Sequence, residues 1–223
     1  MDCVVYQARS AETAVPPSCL SRAERERWWR LPLAADRARF GTAAALLRVV
    51  AGQELGLDAA QVRIARFCPD CDRPHGKPEI LGSDIQVSVS HSGHVVLVAL
   101  AHGMVPIGVD VERVEWGIEV DDLAPLTLAP AELERIRGTD SRVDRITFFG
   151  LWTRKEALLK ATGDGLRIPM SAVALTACGA LSEYPARPEL AARTVALATG
   201  NGYAAALAAL ADAPLVVRHV STA

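Results

Sequence analysis

The chain contains Trp152-Thr153-Arg154-Lys155-Glu156-Ala157-Leu158-Leu159-Lys160, and this short segment indicates more about the fold than any other. Leu158 and Leu159 belong to an apolar stripe of the kind that a helix buries. Gly163 is a natural end for that helix, because glycine adopts the left-handed conformation of a C-terminal cap without strain. We therefore predict a helix from about residue 144 to about residue 161.

Charged side chains on the same helix indicate a function. Glu156 and Lys160 are four residues apart, so they lie one turn from each other on one face. Such a pair is often only a surface ion pair. The chain has 24 lysines and arginines, however, and only three of them are lysines: Lys77, Lys155 and Lys160. Because a compact ammonium group suits a phosphate where a planar guanidinium does not fit, two lysines on one helix indicate phosphate binding.

The overall composition excludes several classes of protein. The 223 residues are enough for one large domain or two small ones, and half of them are hydrophobic. The formal net charge of -2 gives no positive field of the kind that binds nucleic acid or an anionic membrane. No apolar run is long enough to span a bilayer. Five cysteines and the lack of a signal peptide at the start predict a cytoplasmic protein.

An acidic motif lies in the strand predicted over residues 107–112. Asp110 and Glu112 are two residues apart, so both carboxylates project from the same face of that strand. Two carboxylates so placed repel each other unless a cation lies between them. Oxygen ligands of this kind suit Mg²⁺. We favour a magnesium site over the alternative, which is the polar outer face of an edge strand.

The hydrophobic pattern predicts a mixture of helices and strands with a boundary near the middle of the chain. Residues 101–106 are rich in residues that interrupt regular structure, which divides the chain into residues 1–105 and 106–223. Helices are predicted over residues 22–30, 34–55, 130–137 and 144–161. Strands are predicted over residues 4–9, 62–67, 85–90, 95–101, 107–112, 172–175, 194–198, 203–210 and 215–220.

Two further signals lie in the first half. In Gly76-Lys77-Pro78, glycine permits a tight turn and proline holds the preceding residue extended, so the ammonium group projects from a fixed backbone. In Ser90-His91-Ser92, the histidine lies at the end of a predicted strand. It is either a loop histidine with local hydrogen bonds or a functional one.

Taken together, these motifs resemble those of the 4'-phosphopantetheinyl transferases of the long, surfactin-synthetase-activating type. The resemblance covers nearly the whole chain in order and spacing. It rests on Gly76-Lys77-Pro78, Ser90-His91-Ser92, Gly108-Val109-Asp110-Val111-Glu112 and the segment 152–160. The short Gly-x-Asp-x-Glu motif is weak alone and becomes specific when it is paired with Trp-Thr-x-Lys-Glu-Ala-x-x-Lys.

The resemblance implies a fold and an activity. The fold is an α+β pseudo-dimer, in which a monomeric protein has two similar two-layer halves with coenzyme A between them. The activity is transfer of 4'-phosphopantetheine from coenzyme A to a serine of an acyl or peptidyl carrier protein. The reaction releases adenosine 3',5'-bisphosphate and needs Mg²⁺. The Arg-rich and Ala-rich composition would suit a pathway for polyketides or nonribosomal peptides.

The resemblance also implies the catalytic residues. Carried over by motif, Asp110, Glu112 and Glu156 are the metal carboxylates. Lys160 lies beside the diphosphate and neutralises charge there. Glu156 is either a metal ligand alone or also the base that takes the proton of the serine hydroxyl, and the sequence leaves both roles open.

Coenzyme A ligands follow from the same resemblance. Lys160 and His91 contact its phosphates, and Ser90 and Lys77 hold its nucleotide portion. Arg39 falls at a position where the family has a basic residue.

Two functions from other classes remain open. One is a catalytically silent protein that binds coenzyme A or a carrier domain, although all three carboxylates and all three lysines stand at motif positions. The other is a zinc-stabilised interaction module. Cys68, Cys71 and His75 have the spacing of three zinc ligands, but no fourth ligand lies near them in sequence. A reduced or disulfide-forming loop is the interpretation that we favour there.

Overall fold

The computed structural model describes residues 1–13, 15–66, 76–115, 117–137 and 142–222. The chain divides into two compact units. The N-terminal unit comprises Asp2–Met104 together with Val217–Ala223, and the C-terminal unit comprises Val105–Val216 together with Met1. Each unit has its own sheet and its own long helix.

The elements of the described residues confirm the mixed α+β class. The helices are α1 (Arg22–Arg30), α2 (Ala34–Leu55), α3 (Val120–Thr127), α4 (Pro130–Ile136) and α5 (Arg145–Thr162). The strands are β1 (Asp2–Arg9), β2 (Ile64–Arg66), β3 (Pro78–Ile80), β4 (Ile85–Ser92), β5 (Val95–His102), β6 (Ile107–Arg113), β7 (Ala174–Leu175), β8 (Leu181–Glu183), β9 (Arg193–Ala196), β10 (Tyr203–Ala209) and β11 (Val216–Ser221). None of these helices combines the length and the apolar character that a membrane crossing requires.

The N-terminal unit is built on a four-stranded sheet with the order β11-β1-β5-β4. Strands β1 and β4 both pair antiparallel with β5, which is buried along residues 95–101. Helix α2 packs on this sheet, and its residues Leu47 and Ala51 share a core with Val87 and Val98. The last strand of the chain therefore completes the sheet that the first strand begins.

The ends of α1 and α2 follow capping signals in the sequence. The Ser21 hydroxyl accepts a hydrogen bond from the Glu24 amide at 3.3 Å, and the Glu24 carboxylate accepts one from the Ser21 amide at 2.8 Å. These two bonds form a capping box. Gly56 ends α2 in the left-handed conformation, with φ of 65°. Both helices have the bounds that the sequence predicted.

The C-terminal unit has a three-stranded antiparallel sheet, β6-β10-β9, and α5 packs against it. The Asp144 side chain caps α5 by accepting a hydrogen bond from the Thr147 amide at 2.8 Å. Gly163 ends the helix with φ of 76°, as predicted. Leu158 and Leu159 are fully buried in the core of this unit. The predicted central helix is thus confirmed to within one residue at each end.

Short or irregular elements were missed by the sequence prediction. Helix α3 contains Pro125, which interrupts the helical pattern that would have revealed it. Strands β3 and β8 have three residues each, and alternation cannot be recognised over so short a run. A 3-10 turn, Met170–Ala172, takes up the start of the strand predicted over residues 172–175, and only Ala174–Leu175 are extended.

Candidate active site

Strand β6 positions two of the predicted metal ligands. In its antiparallel pairing with β10, Asp110 lies opposite Ala206 and Glu112 lies opposite Ala204. Successive side chains of a strand point to opposite faces, so Val109 points away from both carboxylates. Asp110 and Glu112 therefore share one face of the strand.

Helix α5 comes very close to β6 at Gly108. A Cβ atom built on Gly108 would lie 1.9 Å from the carbonyl oxygen of Ala157 and 2.6 Å from the amide nitrogen of Ala161. Even an alanine would push the helix away from the strand, since packed interiors leave no spare room. Because Gly108 lies on the carboxylate-bearing face of β6, this contact brings Glu156 and Lys160 up to that face.

An ion pair joins α5 to β6 beside this contact. The Lys160 ammonium group donates a hydrogen bond to Oδ1 of Asp110 at 2.6 Å. The Asp110 side chain is 3% exposed and the Lys160 side chain is 32% exposed. A pair with one buried member interacts through a lower dielectric than a surface pair does. Lys160 thus has an acidic partner on a different element, besides Glu156 on its own helix face.

Glu156 is electrostatically coupled to this pair. Burial raises the pKa of the Glu156 carboxyl above its usual value, and the negative charge of Asp110 raises that pKa further. The positive charge of Lys160 acts in the opposite direction. The three residues therefore form one electrostatic unit, in which two carboxylates lie in the field of one ammonium group.

The donor chemistry of this arrangement fits Mg²⁺. Carboxylate oxygens are ligands that Mg²⁺ prefers, and a cation would relieve the repulsion between Asp110 and Glu156. Glu112 is half-buried on the same face of β6. Across the described part of the chain, no group of three or more His, Cys, Asp or Glu side chains is already arranged to hold a metal ion. The convergence of all three carboxylates on one ion stays a prediction.

Lys155 does not take part in this arrangement. Its side chain is fully buried, and its ammonium group donates hydrogen bonds to the carbonyl oxygens of Thr127 at 2.9 Å and Met170 at 3.0 Å. It also forms an ion pair of 2.5 Å with Glu132. The prediction that both lysines of this helix bind phosphate is therefore wrong for Lys155, because three partners within the C-terminal unit occupy its ammonium group.

In the N-terminal unit, Lys77 directly precedes β3, whose first residue Pro78 pairs with Arg66 of β2. Burial lowers the pKa of the Lys77 ammonium group to about 8, and the charge of Glu79 opposes this effect. A bound anion would favour the charged form of such a lysine. A half-buried lysine with a lowered pKa is thus a candidate ligand for phosphate.

Arg66 is a second candidate in this region, and the sequence analysis missed it. Its guanidinium group donates to the carbonyl oxygen of Gly76 at 3.5 Å, immediately before Lys77. Burial lowers the pKa of Arg66, and the charge of Arg27 lowers it further. A single arginine in a three-residue strand cannot be distinguished from a solvated one by pattern alone.

Ser90 and His91 lie at the end of β4, next to the turn that leads into β5. Ser90 is 7% exposed, whereas His91 is exposed. Arg39 of α2 reaches the same turn, where its guanidinium group donates to the carbonyl oxygen of Gly93 at 3.4 Å. The same group also donates to Asp36 of its own helix at 2.5 Å. The structure therefore brings two of the predicted ligands, His91 and Arg39, to one corner of the N-terminal unit.

The zinc hypothesis concerns residues that the structure does not describe. Cys68, Cys71 and His75 all lie outside the described residues. The three cysteines within them, Cys3, Cys19 and Cys178, are free thiols.

The segment that carries β6, α5 and β10 matches a known family. Residues 106–208 match the family model of the 4'-phosphopantetheinyl transferase superfamily. This part of the chain, a little under half of its 223 residues, is similar to that superfamily. Asp110, Glu156 and Lys160 all lie within the segment that matches the superfamily.

Curated proteins that resemble the chain carry the name of the same superfamily. The chain is 34% identical over 135 residues to the 4'-phosphopantetheinyl transferase HetI of Nostoc, which covers 58% of this chain and 54% of that protein. It is 28% identical over 154 residues to a 4'-phosphopantetheinyl transferase of Bacillus subtilis, which covers 69% and 64%. It is 33% identical over 150 residues to the L-aminoadipate-semialdehyde dehydrogenase-phosphopantetheinyl transferase of Schizosaccharomyces pombe, which covers 60% and 54%. The matched part of the chain spans between 54% and 64% of these relatives' lengths.

Proposed function

We propose that this protein transfers 4'-phosphopantetheine from coenzyme A to a serine hydroxyl of an acyl or peptidyl carrier protein. The observation that carries the proposal is the coupled set of Asp110, Glu156 and Lys160 in the segment that matches the superfamily. The names of the relatives from Nostoc and Bacillus subtilis support the same activity.

The reaction requires a nucleophile to reach a phosphorus atom that is shielded by negative charge. A bond forms between the serine Oγ and the phosphorus attached to pantetheine, while the bond from that phosphorus to the bridging oxygen of the diphosphate breaks. The serine loses its proton, and negative charge develops on the departing adenosine 3',5'-bisphosphate. The protein must therefore supply fixed positive charge and a proton acceptor.

Positive charge at the diphosphate has two sources in this proposal. Asp110, Glu112 and Glu156 would hold Mg²⁺, which when bound neutralises phosphate oxygens as a Lewis acid. Lys160 supplies a cation of the protein itself, and Asp110 orients its ammonium group. Because that orientation exists before the substrate binds, Lys160 can stabilise developing charge without reorganisation.

Glu156 is the proton acceptor in this proposal, and it also contributes to metal binding. A general base works best when its pKa lies near the operating pH, and both burial and the charge of Asp110 raise the pKa of Glu156 in that direction. It is the only acidic residue of α5. Lys160 cannot serve instead, because its positive charge is needed at the phosphates.

Coenzyme A ligands in the N-terminal unit complete the proposal. Lys77, His91 and Arg39 supply cations or hydrogen-bond donors for phosphate oxygens, and Ser90 supplies a hydroxyl for the nucleotide portion. The lowered pKa of Lys77 supports its role, because a bound phosphate would restore the charged state that burial disfavours.

The class that we propose is the long, surfactin-synthetase-activating type, which acts as a monomer on carrier proteins of polyketide or nonribosomal peptide synthases. The order of motifs along the whole chain supports this class. The free thiols of Cys3, Cys19 and Cys178 support a cytoplasmic location, where the medium is reducing.

Mass spectrometry of carrier proteins tests the activity. Apo-acyl and apo-peptidyl carrier proteins are incubated with coenzyme A, MgCl₂ and the purified protein, and one phosphopantetheine mass is expected on the acceptor serine. The gain should disappear when Mg²⁺ is omitted and should be much slower with the Glu156→Gln variant. If coenzyme A binds by calorimetry while no carrier protein gains mass, the protein is instead the catalytically silent binder that the sequence leaves open.

A further inference from the structure

A buried ion pair lies immediately beside the proposed base in sequence. The side chains of Lys155 and Glu132 are 0% and 1% exposed, and their charged atoms are 2.5 Å apart. The two other bonds of the Lys155 ammonium group go to the carbonyl oxygens of Thr127, the last residue of α3, and of Met170, beyond the end of α5. One lysine of α5 thus holds three separate parts of the C-terminal unit.

Glu132 extends this network to further backbone groups. Its Oε2 accepts a hydrogen bond from the Ala129 amide at the start of α4, and its Oε1 accepts one from the Leu175 amide of β7, both at 2.8 Å. Both carboxylate oxygens therefore have partners besides Lys155. Helix α5 is therefore bonded directly to α3, α4 and Met170, and through Glu132 indirectly to β7, in addition to apolar packing.

The burial of this pair needs a reason other than stability. Two charges removed from water carry a desolvation cost, and apolar residues of similar size often replace a buried pair without loss of stability. Such a pair restrains the direction of its side chains, which apolar residues do not, because hydrogen bonds weaken steeply when their angles change. An ammonium group with three fixed partners resists rotation of the helix that carries it.

We propose that Lys155 and Glu132 are positioning residues that fix the rotation of α5 about its axis, and thereby the contact between Lys160 and Asp110. Neighbouring residues of a helix point about 100° apart, so the direction of Lys155 also determines that of Glu156. A rotation that released Lys155 would turn Glu156 and Lys160 away from β6. The effect on the contact between Lys160 and Asp110 does not depend on any function, whereas the effect on the transfer rate rests on the function proposed above.

The positioning role of Lys155 and Glu132 is separate from that of the close contact at Gly108. The backbone of Ala157 at Gly108 sets how near α5 lies to β6. Because the facing backbone belongs to Ala157 and Ala161, this contact also favours the face of α5 on which these two small residues lie. Lys155 lies about 200° around the helix from Ala157, so its bonds act on another side of α5 and add a directional restraint to this contact.

The small number of lysines makes the proposal testable by NMR. Isotope labelling of lysine alone gives side-chain signals from only Lys77, Lys155 and Lys160. The Asp110→Asn variant shows how the Lys160 signal moves when its partner loses charge. In the double variant Lys155→Met/Glu132→Leu, which removes both buried charges together, we expect the Lys160 signal to move at least halfway to that position.

A matched control and two contrary outcomes complete this test. The variant Arg193→Met/Asp212→Leu replaces an exposed ion pair of the same unit and should leave the Lys160 signal unchanged. An unchanged Lys160 signal in a folded double variant would overturn the proposal. A Lys160 signal that does not move in the Asp110→Asn variant would overturn it as well. If the double variant does not fold, Lys155→Gln/Glu132→Gln also removes both charges but keeps side chains that can form hydrogen bonds, and a smaller shift in the same direction is expected.

The catalytic consequence is measured separately from the geometry. At an equal concentration of folded protein, the double variant Lys155→Met/Glu132→Leu should modify a carrier protein about tenfold to a hundredfold more slowly, since small misplacements of reacting groups have effects of this size. Saturating Mg²⁺ should not restore the rate. A parental rate in the folded double variant would overturn the catalytic role. If the parent is inactive but the Lys160 signal moves in the variants as expected, the proposed function is refuted and the positioning role remains.

Discussion

Lys160 of α5 donates a hydrogen bond to Asp110 of β6 at 2.6 Å, although the two residues are 50 positions apart in sequence. The contact depends on the close approach of the two elements at Gly108, where a Cβ atom would meet the helix backbone. The charge on one side of the candidate site is therefore set by a helix and a strand together.

Replacement of Gly108 by alanine should destabilise the protein and impair the site. The added Cβ would overlap the carbonyl oxygen of Ala157, so α5 must shift away from β6. Overpacking of this kind costs about 1–3 kcal/mol. Urea denaturation of Gly108→Ala should show this loss of unfolding free energy. The transfer reaction should also require a higher Mg²⁺ concentration than it does in the parent.

Gly150 of α5 provides the matched control. Among the described residues, no atom outside the neighbouring helix backbone lies within 4 Å of a Cβ built there, and the residue is inside a helix. Because glycine destabilises a helix interior by about 0.5–1 kcal/mol relative to alanine, Gly150→Ala should be neutral or stabilising. Equal stability of the Gly108→Ala variant and the parent would contradict the close contact.

The Asp110→Asn variant should raise the Mg²⁺ requirement and shift the pH dependence of the rate. Loss of the Asp110 charge removes a repulsion that raises the pKa of Glu156, so that pKa should fall. Because a base acts when deprotonated, the rate should reach its plateau at a lower pH than in the parent. Rates measured against Mg²⁺ concentration and pH give both effects.

Asp212→Asn is the control for this experiment, because Asp212 is 79% exposed and pairs with Arg193 in the same unit. It should leave the Mg²⁺ titration and the pH profile unchanged. An Asp110→Asn protein that titrates with Mg²⁺ like the parent would mean that the carboxylates of β6 are only a polar face.

The Glu156→Gln variant separates metal binding from proton transfer. Glutamine keeps the shape and one oxygen of the side chain but has almost no basicity. If Glu156 is the base, the rate should stay lower by about a hundredfold to ten-thousandfold at saturating Mg²⁺, while coenzyme A binds nearly as before. The measurement is carrier-protein modification against Mg²⁺ concentration. Recovery to within a few-fold at high Mg²⁺, with an unchanged pH profile, would leave Glu156 as a metal ligand alone.

Lys77 should make coenzyme A binding sensitive to pH near 8. Burial lowers the pKa of its ammonium group to about 8, and phosphate binds the charged form. Affinity should therefore be highest below that pH and should fall as the pH rises through it. Lys77→Arg keeps its charge far above pH 8, so its affinity should stay constant over the same range. Calorimetric titration on both sides of pH 8 measures the difference.

A Lys77→Met variant completes the comparison, because it lacks the charge at every pH. It should bind coenzyme A weakly and without the pH dependence of the parent. A parent whose affinity is constant through pH 8, or matches that of Lys77→Met, would remove Lys77 from the set of ligands.

The sequence by itself determined the elements whose signals are local. Ser21 and Gly56 mark the ends of α1 and α2, and Gly163 marks the end of α5, because caps depend on a few neighbouring residues. It also predicted the superfamily, because the motifs on β6 and α5 retain their order. Helix α3 was missed, since Pro125 breaks the periodic pattern from which helices are recognised.

Only the tertiary structure decided what Lys155 does. The composition grouped Lys155 with Lys160 as two lysines on one helix, whereas the resemblance gave a phosphate contact to Lys160 alone. Their environments differ because α3 and α4 bury Lys155 against Glu132, whereas the approach of β6 gives Lys160 its bond to Asp110. Burial and charge pairing depend on which distant segments pack against each face of a helix, and a periodic pattern within the helix contains no information about those partners.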